Sequence, residues 1–536
     1  MEAIPIASGD AVQATSSEDS LKKRYLAKLA KGVTDAGINV ALLLFVPRVL
    51  GPGSYGSFNF VRDTFQNTIN LADLNLSSAH INRASRKGDS SAATDVYLSY
   101  TLLIGVLLFG GVAAITLTGL GRYIFPGQVS TVLFLGALLA YLMYLYVALM
   151  GLSDSKVATY GFELRSIAVN VGMSVPLVLL YWGNALNLTT FFTLRIVLYM
   201  ALLGVGAHYL SRTIRFHPRL ANPWDPNTQE VIRTFLSYSH PLVTMSLLGV
   251  LFSFFDRWLL QVVYGSVSQG YFSLAFSLTS VASLCLAPMT PLLMQSVARS
   301  DEANDAAGVR TAFRRVELLY LVSAFISVFV MFHSAEIIRL IGGHEYDGAQ
   351  ATIVVMFVYP IHVVYGQFCG GTLIALRKTG LYRNISLVSS LVGVVLTYVL
   401  LAPRSFTIPG LELNSLGLAL KLVLVQLVSV SLQLYFVCRQ LNEPMSRFIF
   451  TQVMTPLPII AIGLGEWLVR SGLGFQTSGV VDSLLSVIGS LAVWALVVGA
   501  TLWRYPALAG LEKSVLRGAA RDVYLGVRSK FQGVSS

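Results

Sequence analysis

The sequence predicts an all-α integral membrane protein of fourteen transmembrane helices, built as two parallel six-helix repeats plus two carboxy-terminal helices, with both termini cytoplasmic. Three observations predict it: apolar blocks of spanning length, a strict alternation of basic loops, and a glycine motif that recurs at a matching place in the second half of the chain.

Hydrophobic residues make up 54% of the chain and charged residues only 12%, against about 25% charged in soluble domains. A water-soluble surface cannot be assembled from that composition. About 20 apolar residues at 1.5 Å each cross a hydrocarbon core of roughly 30 Å. Windows of that kind fall at 26–50, 57–80, 97–119, 129–151, 162–182, 189–210, 236–262, 269–296, 315–333, 350–375, 384–402, 414–437, 449–470 and 483–503. Residues 1–20 are polar, with no short apolar segment and small-residue cleavage site after them, so the first span is expected to direct insertion itself.

Basic residues thread the spans. Of the 38 Lys and Arg, 29 fall in the amino-terminal flank, in every second loop after it, and in the carboxy-terminal tail. The opposite side holds five (Arg48, Arg122, Arg339, Arg404 and Arg470), and four lie inside apolar windows. By the positive-inside rule both termini are cytoplasmic. The net charge of +11 is therefore read as orientation in a membrane, and no nucleic acid partner is inferred from it. Cys285, Cys369 and Cys438 sit in or beside apolar windows without a CxxC pattern, which indicates neither a disulfide framework nor a zinc site. No cofactor is expected.

Gly51-Pro-Gly-Ser-Tyr-Gly-Ser-Phe58 follows the first window and Gly265-Ser-Val-Ser-Gln-Gly-Tyr-Phe272 the seventh, both fitting G-x-x-S-x-G-x-F. Arg165-Ser-Ile167 and Arg383-Asn-Ile385 open the fifth and eleventh windows, nearly the same distance apart as the two glycine motifs. Six helices per unit keep both copies in one orientation, the parallel type of transporter repeat with a substrate site between the halves. The expected organisation is a disordered cytoplasmic tail (1–21), six-helix bundles at 22–228 and 229–440, two additional spans (441–503) and a basic tail (504–536).

At Val46-Pro-Arg-Val-Leu-Gly-Pro-Gly-Ser-Tyr-Gly56, Leu71-Ala-Asp-Leu-Asn75, Phe255-Asp-Arg-Trp258 with Gly270-Tyr-Phe272, and Arg377-Lys-Thr-Gly380, the chain resembles the polysaccharide exporter and O-antigen flippase branch of the multidrug/oligosaccharidyl-lipid/polysaccharide transporter superfamily. The resemblance spans roughly residues 24–440. It implies two six-helix bundles alternating access to a central cavity and a lipid-linked oligosaccharide as substrate, as in lipopolysaccharide or exopolysaccharide export. Polysaccharide polymerase and export machinery would be partners beside membrane lipids. Lys421 departs from the family pattern, which usually has a small or hydroxylated residue in that part of its twelfth helix.

Ionisable groups inside spans are costly and functional by default. Arg62, Arg195, Arg257 and Lys421 each lie five to seven residues from the outer end of their windows. Such a cationic belt suits a polyprenyl-pyrophosphate head group, which Arg binds as a fork and Lys as a point charge. Snorkelling to water is the competing reading. Asp35 and Asp73 enter from one face to similar depth and are candidate ion-coupling residues; a patch of interhelical hydrogen bonds explains them equally well. Glu163 and Glu317 complement helix starts, and His362, Tyr359 and Tyr365 are read as packing.

A membrane glycosyltransferase or polysaccharide polymerase is the alternative from another class. It would need acids, bases or metal ligands in a sizeable loop. The longest internal polar loops, 211–229 and 298–313, hold no DxD pair, nucleophile–base pair or phosphate-cradling glycine loop. Among transporters, a peptidoglycan-precursor flippase and a multidrug/cation antiporter are the runners-up, the latter disfavoured because the belt would repel cationic drugs.

Overall fold

The computed structural model describes residues 9–84, 90–213, 220–222, 224–283, 295–297, 299–300, 306–441, 443–473 and 479–505. The expected basic tail beyond Tyr505, Cys285 and residues 284–294 of the eighth window lie outside them.

The described elements are helical. They run α1 (Gly9–Ala72), α2 (Leu76–Ala84), α3 (Ser90–Leu117), α4 (Gly121–Ile124), α5 (Ser130–Ser155), α6 (Thr159–Trp182), α7 (Leu188–Thr213) and α8 (Pro226–Ser283). There follow α9 (Ala306–Phe332), α10 (Ser334–Ile341), a 3-10 turn (His344–Ala349), α11 (Gln350–Met356), α12 (Val358–Ala375), α13 (Thr379–Leu401), α14 (Asn414–Leu441), α15 (Met445–Met454), α16 (Pro456–Gly472) and α17 (Val480–Arg504). Because α1 begins at Gly9, part of the stretch expected as a disordered tail is helical. Propagating a helix through residues 10–21, which contain no Gly or Pro, is easier than nucleating one.

Twelve helical segments among the described residues are long and apolar enough to cross a membrane. They differ from the fourteen predicted windows at two places, where Lys23–Ala72 and Leu247–Ser283 each overlap two windows. A straight helix of 50 residues would be about 75 Å long, more than twice a hydrocarbon core. Neither segment is continuous: Gly51 (φ 69°, ψ 167°) breaks the first and Gly265 (φ 73°, ψ −169°) the second. That backbone region is essentially closed to residues with a Cβ. These are the first glycines of the two motif copies, and they share one conformation.

The backbone repeats elsewhere too. Gly127 (φ 73°) and Gly343 (φ 71°) both take the left-handed region, at nearly the same separation as Gly51 and Gly265. Val157 (φ 60°) and Arg377 (φ 59°) form a third such pair, inside one pattern of bonds: 156→152, 157→154 and 158→153 in the first loop, 376→372, 377→374 and 378→373 in the second.

The chain forms two compact units, Met1–Ser266 and Val267–Ser536. In the first, α1 packs on α5 and α6, and α5 on α7; the helices approach closely at Gly136, where an added Cβ would lie 2.3 Å from Val61. Small residues serve this role where lipid supplies no hydrophobic drive between helices. In the second, α14 packs on α12 and α13, and α9 on α12 and α16. Its core gathers Tyr320, Tyr365, Phe368, Phe448 and Trp494.

Candidate functional site

Beyond the break at Gly51, α1 carries Phe58 and Arg62 one turn apart, with the guanidinium 5.3 Å from the Phe58 ring centre. Phe58 in turn meets Phe191 and Phe192 at the start of α7, each at 4.7 Å. Arg62 donates through Nη2 (2.6 Å) and Nε (3.0 Å) to Asp63 Oδ1. Arg257 of α8 donates from Nη2 to Asp63 Oδ2 at 3.3 Å. One carboxylate thus bridges two arginines of the predicted belt. Arg195 lies over Tyr199, 5.6 Å from its ring centre, within electrostatic reach of Arg62 and Asp35. Asp256 also acts on Arg257. Three guanidiniums against Asp63 and Asp256, with Asp35 cancelled by its own ion pair with Lys31, leave one positive charge in excess, so the region favours an anion.

An open cavity of about 140 Å³ adjoins these groups in the same unit. Its polar walls are Lys31, Asp35 and Asn39 of α1, Asn170 and Ser174 of α6 and Arg195 of α7, with the rings of Tyr146 and Tyr199 beside them. Asp35 accepts from Lys31 one turn earlier and from Asn170 Nδ2 at 2.9 Å. The Lys31 ammonium also sits 5.9 Å from the Tyr146 ring centre.

Asp73 lies elsewhere in the unit. Helix α1 stops just before it, and Leu74 (φ 51°) and Asn75 (φ 60°) both adopt the left-handed region that costs L-residues roughly 1–2 kcal/mol each. The buried carboxylate offsets this by accepting from Ser77 Oγ (2.8 Å), Tyr144 Oη (2.7 Å) and Tyr97 Oη (3.3 Å). No hydrogen bond or ion pair joins Asp35 to Asp73 among the described residues. Lys421 is in the second unit, buried in α14, its stem laid where Gly393 of α13 leaves room, with Cε 3.0 Å from the position of an added Cβ.

The sequence reading passed over a further charged cluster in the second unit. Glu466 and Arg470 of α16 meet His333, Glu336, Ser486, Ser490 and Trp494. The signal was present as an acid–base pair one helical turn apart inside the window 449–470, facing Ser486, Ser490 and Trp494, which recur at turn spacing on one side of α17.

Residues 29–294 match the family model described as "Polysaccharide biosynthesis protein". No curated protein sequence matches the chain. Among solved structures, the chain is similar to the "Lipid II flippase MurJ, inward closed conformation" with a TM-score of 0.63 at 13% identity, covering 90% of this chain and 98% of that one. It is also similar to an inward-facing multidrug resistance MATE family transporter of the MOP superfamily, with a TM-score of 0.56 at 13% identity over 78% of this chain and 95% of that one. At such identity the likeness is one of fold. The family match covers just under half of the chain, and the shared fold together with twelve helical segments, among the described residues, long and apolar enough to cross a membrane makes the chain a multi-pass membrane protein.

Proposed function

We propose that the protein is a flippase that carries a polyprenyl-pyrophosphate-linked oligosaccharide across the cytoplasmic membrane by alternating access, driven by an ion gradient. The observation that carries this reading is the group Arg62, Asp63, Arg257 and Arg195 within predicted spans, with a net positive charge beside an open polar cavity. Arginines in a span are retained where they meet water or a counter-charge, and a pyrophosphate would supply the second. Neighbouring Asn and Tyr side chains suit sugar hydroxyls. In this reading Lys421 is a further cation suited to the anionic head group, and Asp35 or Asp73 binds the coupling ion. The chain threads as fourteen crossings with cytoplasmic termini, each glycine break being a reversal between two spans.

Peptidoglycan-precursor transport is the second reading, favoured by the fold shared with a lipid II flippase. Both substrates carry pyrophosphate and differ in the glycan. Proteoliposomes holding the full chain should move a fluorescent polyprenyl-pyrophosphate oligosaccharide between leaflets, and an Arg62→Gln, Arg257→Gln double variant should not. Equal rates in the two would refute the anion-site reading, and transport only of muropeptide-bearing lipid would select the second.

A further inference from the structure

We infer that His333 and Glu466 hold one exchangeable proton between them, a proton-binding site where the last two helices, α16 and α17, meet α9 and α10. It is separate from Asp35 and Asp73 and stands whether or not the substrate reading holds.

The inference starts from a count of protons. His333 is buried, 1% exposed, and both ring nitrogens face acceptors. Nδ1 is 3.0 Å from the carbonyl oxygen of Phe329 and Nε2 is 3.3 Å from Glu466 Oε1. A neutral imidazole has one N–H, so it can serve only one of these oxygens and would turn a lone pair toward the other. Satisfying both takes a second proton, on Nε2 or on the carboxyl group. Glu466 already receives Ser490 Oγ at 2.8 Å and the Trp494 indole N–H, with Arg470 Nη1 at 3.7 Å. Those donors favour the carboxylate, which puts the proton on the imidazole.

A count of charges gives the same answer. Arg470 Nη2 holds Glu336 Oε1 at 2.6 Å and donates to Ser486 Oγ at 3.0 Å. Two carboxylates around one guanidinium leave a unit negative charge, and a proton on His333 cancels it. Among the charged groups on these elements, Arg339 of α10 and Asp482 of α17 are of opposite sign, so counting both or neither leaves the tally unchanged. An uncompensated charge in a low-dielectric setting is expensive, so losing the proton leaves one of the two oxygens against a lone pair and the cluster with excess negative charge, which loosens α16 from α9. The contact is otherwise tight, with an added Cβ on Gly463 of α16 only 2.5 Å from the Phe332 ring. Histidine is the side chain whose ordinary charge change falls between about pH 5 and 8, which makes the site responsive to a proton gradient.

Trp494 supplies the readout, since its ring stands edge-on to His333 at 5.9 Å and an imidazolium quenches indole emission more than an imidazole does. The full chain in lipid nanodiscs, with the exposed Trp182, Trp224, Trp467 and Trp503 changed to Phe, should show one sigmoidal rise in emission as pH increases. Trp494→Phe and His333→Gln should each abolish the step, and Glu466→Gln should move its midpoint to lower pH by removing the anion that holds the proton. A step that survives His333→Gln, or a monodisperse parent protein without one between pH 5 and 8, overturns the proposal. If His333→Gln does not fold, the isosteric Glu466→Gln decides: an unmoved midpoint overturns it equally.

Discussion

Arg257→Gln removes the charge that reaches Asp63 from α8 and keeps a polar side chain of similar reach. At ~6 Å and an effective dielectric of ~20, one unit charge attracts a phosphate charge by ~3 kcal/mol. The cluster is partly open, with side chains 12% exposed for Arg257 and 27% for Asp63, so screening in a hydrated cavity reduces the figure to about 1–2 kcal/mol. That corresponds to about 5- to 30-fold weaker binding. Asp63 stays neutralised by Arg62 at 2.6 Å, so the variant should fold and insert normally. The assay is titration of a short-chain polyprenyl pyrophosphate onto the purified protein in neutral-lipid nanodiscs, at low and high salt. Wild-type affinity should fall with added salt, and Arg257→Gln should bind more weakly with a shallower salt dependence. Arg257→Lys should recover part of the loss, because a point charge replaces a fork. Equal affinity and salt slope in wild type and Arg257→Gln would refute the reasoning and leave snorkelling as the account of this residue.

Three further outcomes follow from the geometry. Gly51→Ala and Gly265→Ala should each cost about 1–3 kcal/mol, the strain of placing a Cβ residue in that backbone region, and the two losses should add in a thermal-unfolding measurement of the double variant. A membrane-impermeant thiol reagent applied outside should label a cysteine at His344, an exposed position of the 3-10 turn, but not one at Lys378; the converse would invert the threading. The bends at Gly342 and Gly343 are poorer labelling sites, because Gly342 packs on Tyr346 and Gly343 has a positive φ. Asp73→Ala strands the hydroxyls of Tyr97 and Tyr144 and should destabilise by about 2–4 kcal/mol at one to two kcal/mol per orphaned donor, whereas Asp73→Asn should keep most of the stability and lose the response of transport to an imposed ion gradient.

Much of the architecture was legible in the chain because its causes are local. The cost of apolar surface in water, the length of a window and the sign of a loop are read residue by residue, and the chain is helical with twelve segments long and apolar enough to span among the described residues. The G-x-x-S-x-G-x-F motif was legible because its first glycine is demanded by a backbone that other residues avoid. The third repeat element was invisible, since Val157 and Arg377 share a left-handed conformation and a bond pattern but no side-chain chemistry. Joining Gly51 and Gly265 inside long helical segments is likewise a matter of conformation that the apolar pattern does not report.

The sequence by itself determined that this is an all-helical membrane protein. Only the tertiary structure decided who meets whom. A helix fixes neighbours three and four residues away, so Arg62 over Phe58 and Lys31 beside Asp35 follow from spacing once a helix is granted. Arg257 reaches Asp63 across 194 residues and His333 reaches Glu466 across 133, because the rotation of each helix about its axis sets which face it turns to a neighbour. That rotation comes from packing at places such as Gly136 against Val61 and Gly463 against Phe332. It also gave Asp35 and Asp73, equal in predicted depth, different partners: Lys31 and Asn170 beside an open cavity for the first, and a closed shell of hydroxyls for the second.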